Sequence, residues 1–248
     1  PDGRSIFSIR NYAGSAELYK IGLDGSQKKL ETHPYTWISQ ISVSPVREAM
    51  ALLASSPSIP ARIIRMDTSG QRVIARSDTE TLSPDFLPAP QAVQWSAPDG
   101  SPVHGLFYPP ANPNFESSGP PPAIFNVHGG PTSQAVAAYS GETAYFTSRG
   151  YAVVEVNYRG SSGYGRTYRD ALRERWGQAD VEDVATCQEA LSRRGLVDSK
   201  RCIIKGGSAG GYTVLNALVR HPGVFKAGVC LFGVSNLFAL DLDTHKFE

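Results

Sequence analysis

The stretch "KGGSAGGYTV" at residues 205–214 restricts the fold more than any other part of the chain. A short β-branched run, "RCII", leads into it, and "TVLNALV" leaves it with helical spacing. Four glycines surround one serine between these runs. Such a turn lets a strand and a helix approach with no side chains between them. It also lets the residue at its apex take a positive φ, a conformation that holds a non-glycine side chain under strain. The pattern G-x-S-x-G between a buried strand and a helix is that of a nucleophile elbow. A short match carries little by itself, so the surrounding periodicity decides how it is read.

That periodicity belongs to an α/β sheet. "AIFNVHGG", "YAVVEVNYRG", "KRCIIKGG" and "FKAGVCLFG" read as buried strands, the four parallel candidates. Between them "SGETAYFTSRG", "GRTYRDALRERWG" and "DVEDVATCQEALSRRG" read as helices, closed by glycines such as Gly150 and Gly195. Apolar runs alternating with helices predict a parallel sheet covered on both faces. A hairpin around Pro98-Asp99-Gly100 precedes this region, followed by a loop rich in Pro and Ser over residues 109–122.

Residues 1–90 have another character. "RSIFSIR", "AELYKIGL", "WISQISV", "AMALLAS", "ARIIRM" and "RVIAR" are short strand-like runs separated by turn signals. Pro1 and Pro45 each precede a strand, and Gly25 and Gly70 each close a turn, which gives a repeat of about 45 residues. Several short strands per repeat suit the blades of a β-propeller, with a small sandwich as the alternative. Two such units do not close a propeller. The expected organisation is therefore the final blades of a β-propeller over residues 1–90, followed by an α/β-hydrolase domain over 91–248.

Composition excludes several roles. Net charge is +1, with 24 basic and 23 acidic residues interspersed, so neither a nucleic-acid nor a membrane-surface partner is expected. No apolar stretch approaches the roughly 18 residues of a membrane span, and no signal-peptide pattern opens the chain. Cys187, Cys202 and Cys230 sit in apolar runs without metal-ligand spacing, and read as buried reduced thiols. No Asn-x-Ser/Thr sequon occurs. A cytoplasmic location, no metal and no cofactor are the expectations.

In the elbow reading, Ser208 is the nucleophile and the helix that follows aims its free N–H groups at an oxyanion. A second donor comes from the loop after the first parallel strand, here "NVHGGPTSQ" at residues 126–134. The backbone N–H groups of Gly130 and Ala209 are the two candidate donors. His128 precedes the serine in the chain, against the usual order of the triad, and is read as shaping its loop.

"HGGP", "VNYRGSSGYGR", "WGQADVEDV" and "GGSAGGY" occur in this order. Together they resemble the catalytic domain of the prolyl oligopeptidase family of serine peptidases, nearest its acylaminoacyl-peptidase and dipeptidyl-peptidase-like branch. The resemblance implies that Ser208 is the nucleophile and that Gly130 donates to the oxyanion. It implies hydrolysis of short peptides through an acyl-enzyme, and it leaves room for a homo-oligomer.

Chain order in this fold is Ser, then acid, then His. His221 lies along the elbow helix, roughly 20 Å from Ser208 and toward the wrong end of the sheet. His245 follows the last strand, with Asp241 and Asp243 nearby, but too close in sequence for separate strands to position acid and base. The expectation is that both triad partners lie beyond residue 248, with the fold's last strands missing and the chain truncated at both ends. Such a fragment would expose "KAGVCLF" as an unpaired sheet edge, associate or precipitate alone, and show no practical peptidase activity. An esterase or lipase-like hydrolase, and a non-catalytic propeller scaffold, are the alternative readings.

Overall fold

Two of the turns between the strand-like runs of the first half are short Asp-x-Ser turns. The Asp24 carboxylate accepts from the Ser26 N–H at 3.0 Å, and Asp67 accepts from the Ser69 N–H at 2.9 Å. These two turns are the repeat legible in the sequence. One joins β2 (Ser15–Gly22) to β3 (Gln27–Leu30), and the other joins β6 (Ile59–Asp67) to β7 (Gly70–Arg76). The computed structural model describes residues 3–79 and 82–243. Pro1, the first marker of the repeat, lies outside them, as does His245.

β1 (Ser5–Tyr12), β2 and β3 form one antiparallel sheet. β4 (Trp37–Val43), β5 (Ala49–Ser56), β6 and β7 form a second. The two share a buried cluster that includes Leu18, Ile38, Leu52 and Ile64. β3 has no counterpart among the expected strands, because its sequence "QKKL" is mostly polar and exposed. A strand at a sheet edge needs no apolar face, so its sequence carries no alternation to detect.

The third sheet has the order β13-β12-β10-β11-β9-β8. β8 (Gln91–Ser96) and β9 (Pro102–Tyr108) are the expected hairpin, and β9 runs antiparallel to β11 (Ala152–Asn157). β10 (Ala123–Val127), β11, β12 (Cys202–Gly207) and β13 (Ala227–Leu231) are mutually parallel, the four parallel strands expected. Phe125, Val154 and Ile204 face α3 (Ala179–Arg193) and α4 (Ala209–Arg220), where Val184, Leu191 and Val214 complete the core. On the opposite face Leu106, Tyr108 and Val153 pack against Phe146 of α1 (Gly141–Thr147). Both faces are thus buried, which explains the unbroken apolar runs.

Three expectations need correction. "GRTYRDALRERWG" is not one helix: α2 covers only Arg166–Asp170, and turns follow to residue 178. Glu174 and Gly177 take φ of 59° and 79°, values outside the helical range. A short α5 (Leu237–Asp243), absent from the expected elements, carries Asp241 and Asp243. Cys187 and Cys202 are buried free thiols, but Cys230 is exposed, because β13 forms an edge of the sheet among the described residues. No helix among them is long and apolar enough to cross a membrane.

One buried ion pair ties these elements together. The Arg159 side chain, two residues after β11, is 3% exposed and that of Asp183 in α3 is fully buried. The Arg159 backbone N–H donates to Asp183 Oδ2 at 2.7 Å and its Nε donates to Oδ1 at 2.9 Å. Its Nη1 reaches Asp99 in the β8–β9 turn at 2.7 Å. Burial pushes the Asp183 carboxyl up to about 6, against the lowering effect of Arg159. The carboxyl is therefore ionised at neutral pH and needs its cation. Arg159→Met should destabilise the protein by about 3–5 kcal/mol in urea unfolding at pH 7. Replacing Asp183 by Leu in the same chain should recover much of that loss.

Candidate active site

β12 ends and α4 begins at Ser208, which takes φ 54° and ψ −124°. Ser208 is exposed while Ala209 beside it is buried, so the turn lifts the hydroxyl out of the fold. Its backbone is fixed on both sides. The N–H donates to the Leu231 carbonyl at 3.1 Å, and the carbonyl accepts from the N–H groups of Tyr212 (3.2 Å) and Val234 (3.3 Å).

The glycines of the elbow are required by contact. A Cβ on Gly206 would lie 2.5 Å from the Gly210 carbonyl oxygen, and one on Gly210 would run into the Val127 oxygen. A Cβ on Gly211 would lie 2.6 Å from the Gly233 Cα. α4 therefore crosses β12 and the end of β10 main chain against main chain. The first-turn N–H groups of α4 have no intrahelical partner, and the Ser208 side chain does not cap them. They carry the positive end of the helix dipole to the base of the serine.

The loop after β10 lies against this turn. A Cβ on Gly129 would be 3.2 Å from the Gly207 carbonyl oxygen and 3.4 Å from the Ser208 Cβ. Gly130 is exposed, has φ 130°, and precedes a cis bond to Pro131. A Cβ there would meet the Thr132 nitrogen at 2.7 Å. The structure thus brings Ser208, Ala209 and the Gly129–Gly130 main chain together. Such a set offers an exposed hydroxyl as nucleophile and main-chain donors for an oxyanion.

His128 holds the loop. Its ring stacks on Tyr158 with centroids 4.4 Å apart. Nδ1 lies 2.8 Å from the Gly129 carbonyl oxygen and Nε2 lies 2.7 Å from Ser161 Oγ. A carbonyl only accepts, so Nδ1 carries the proton and Nε2 accepts from the serine hydroxyl. Burial lowers the imidazole pKa to about 4, keeping it neutral. Both nitrogens are engaged inside the loop and neither serves Ser208. The Tyr158 hydroxyl lies 2.9 Å from the Pro131 carbonyl oxygen and donates there.

The other two motifs hold the elbow from behind. Asn157 clasps Ala135, accepting from its N–H at 2.7 Å and donating to its carbonyl at 3.1 Å. Asp180, in the first turn of α3, accepts from the Gly177 N–H at 2.6 Å. Its other oxygen accepts from the Thr213 hydroxyl of α4 at 2.5 Å. Burial raises the Asp180 pKa, while these two bonds oppose the shift. Sequence reading finds the motifs but gives no role to Asn157, Tyr158, Ser161, Asp180 or Thr213. Only the fold shows which side chains face inward.

None of the described histidines hydrogen-bonds to Ser208. His221 sits at the far end of α4, its N–H donating to the Ala217 carbonyl at 3.0 Å. Asp241 and Asp243 lie on α5, and His245 lies outside the described residues.

The chain is similar to known peptidases. The model of the prolyl oligopeptidase family matches residues 137–248. The chain is 29% identical over 237 residues to YuxL, an uncharacterized peptidase of Bacillus subtilis, covering 95% of the chain and 36% of that protein. A puromycin-hydrolyzing peptidase of Mycobacterium tuberculosis superposes with a TM-score of 0.88 at 37% identity, over 95% of this chain and 36% of that one. An acylaminoacyl peptidase of Pyrococcus horikoshii superposes with a TM-score of 0.75 at 26% identity, over 93% of this chain and 36% of its own. The chain thus spans about a third of the length of these proteins (36%).

The half-buried, neutral His128 makes the loop sensitive to acid. Its folded pKa, about 4, lies below the ordinary value of 6.5. The stability it contributes is therefore present above pH 6.5 and lost as pH falls toward 4, by about 3 kcal/mol in all. Thermal midpoints measured from pH 7 to pH 4 should fall more steeply in the wild type than in His128→Gln. A second expectation concerns the elbow: Gly206→Ala should cost more than about 2 kcal/mol, because main-chain atoms must move to admit the methyl group.

Proposed function

We propose that this chain, which belongs to the prolyl oligopeptidase family, carries the nucleophile and oxyanion hole of a serine-type peptidase acting on short peptides. The observation that carries the reading is Ser208, held exposed at φ 54° where β12 meets α4, with the Gly129–Gly130 main chain against it. Ser208 Oγ attacks the carbonyl carbon of the scissile amide. The N–H groups of Gly130 and Ala209 hold the oxygen as it gains negative charge. The proton of Ser208 passes to a histidine base that none of the described histidines supplies, and the same base returns it to the leaving amine. The acyl-enzyme left on Ser208 is then hydrolysed by water.

We assign residues 1–90 to blades of a β-propeller and residues 91–248 to part of an α/β-hydrolase domain. Three observations support this division. A new sheet starts at Gln91, the Asp-x-Ser turns repeat in the first half, and the similar structures are those of peptidases. A propeller beside the site restricts substrates to small peptides. The free thiols fit a reducing compartment, and we take the cytoplasm as the place of action.

Ester hydrolysis uses the same groups, so the test compares both bonds. The full-length protein should hydrolyse aminoacyl anilides as well as short acyl esters, and a fluorophosphonate should label its Ser208. Ser208→Ala should abolish labelling and lower kcat by at least about 10⁴-fold. Ester turnover without amide turnover would reject the peptidase reading.

A further inference from the structure

The segment that leaves the oxyanion loop is pinned at every second residue. The Pro131 carbonyl accepts from Tyr158 at 2.9 Å, and the Ser133 carbonyl accepts from the Ser162 N–H at 2.7 Å. Asn157 holds both backbone groups of Ala135. The last pin, at Ala137, comes from the antiparallel sheets. The Ala137 N–H donates to the Gly14 carbonyl at 2.7 Å, and the Thr36 hydroxyl donates to the Ala137 carbonyl at 2.6 Å.

Both partners are held rigidly at their own end. Ala13 and Gly14 form the tip of the β1–β2 hairpin, with φ of 49° and 79°, the doubly positive turn that matches the twist of paired strands. The Ala13 N–H donates to the Gly163 carbonyl at 3.1 Å, so the tip also touches the loop that carries Ser161. A Cβ on Gly14 would lie 3.1 Å from Leu106 Cδ1 and 3.4 Å from the Ala135 carbonyl oxygen. Thr36 joins the two antiparallel sheets to the loop after β10. Its N–H donates to the Ser55 carbonyl of β5 at 3.0 Å, its carbonyl accepts from the Ala16 N–H of β2 at 2.8 Å, and its hydroxyl reaches Ala137.

We infer that Thr36 and Gly14 are positioning residues for the oxyanion loop, fixing the Gly130 N–H relative to Ser208 through the backbone at Ala137. A merely adhesive interface has no need to land on this segment. Here the three bonds fall on the chain seven residues after Gly130 and on the loop that holds His128. A shift of the hairpin tip therefore displaces an oxyanion donor. Such a donor acts on charge that develops in the transition state, so its displacement lowers kcat and leaves KM nearly unchanged.

The inference rests on the proposed reading of Ser208, and the experiment separates the two. Thr36→Val, Thr36→Ser, Gly14→Val, Gly25→Ala and Ser208→Ala are made in the full-length protein and assayed on a peptide anilide, with thermal midpoints measured alongside. Gly25 closes a turn of the same sheet at φ 84° with nothing within 4 Å of an added methyl group, so it controls for turn strain alone. Thr36→Val and Gly14→Val should lower kcat about tenfold, a fraction of the about 10²–10³ lost when a donor is removed outright. KM should stay within about twofold, Thr36→Ser should restore kcat, and Gly25→Ala should match the wild type. An unchanged kcat in Thr36→Val, or a loss confined to KM, overturns the inference while an inactive Ser208→Ala still supports the site. If Gly14→Val does not fold, Thr36→Val and its serine rescue decide the matter. Full turnover in Ser208→Ala overturns both readings.

Discussion

At Gly206 and Gly210 a strand and a helix cross with only main-chain atoms between them, and the groups around Ser208 take their places from that crossing. Any side chain there would force α4 away from β12 and from the end of β10. The first turn of α4 would then no longer lie beneath the serine. The positive φ of Ser208 is part of the same constraint, since the chain must reverse within one residue to enter the helix. Strain of this kind costs about 1–3 kcal/mol and persists only where neighbouring structure over-determines it. The Leu231 carbonyl and the N–H groups of Tyr212 and Val234 supply that determination.

Around this crossing the fold uses buried polar groups where apolar packing would give more stability. Asp180, Asp183 and Arg159 are desolvated, and each is held by hydrogen bonds from a different element. Such groups cost free energy to bury, and their directional bonds fix a geometry that apolar contacts leave loose. His128 follows the same logic in neutral form, with one nitrogen donating and the other accepting. The result is a site whose two halves, the elbow and the Gly129–Gly130 loop, are each tied to α3 or to β11.

Much of this is legible in the sequence where a residue's backbone demand is unusual. Glycines at 206, 207, 210 and 211 announce the elbow, because no other residue fits such a crossing. The four parallel strands are legible as apolar runs, and the Gly25 and Gly70 turns as a repeat. What escapes is whatever depends on distant partners. β3 has a polar sequence and exists because β2 offers a hydrogen-bonding edge. The helix read through residues 165–177 stops at Asp170, where local propensity yields to tertiary packing. Cys230 reads as buried because its strand is apolar, and only the strand order shows it at an edge. Thr36 carries no local signal at all, since its three partners are supplied by two different sheets and a distant loop.

In the proposed function, the elbow and the loop against it present main-chain atoms to the reacting centre, with one hydroxyl among them. Main-chain groups are the same whatever residue carries them, so the charge-stabilising equipment is not itself written in side chains. Substitution can then proceed through the strands and helices for as long as the few glycines and their supports persist. Divergence in substrate preference and conservation of the chemical step become separable problems for evolution. The first is worked out on surfaces that face the substrate. The second is confined to a handful of positions where a methyl group has nowhere to go.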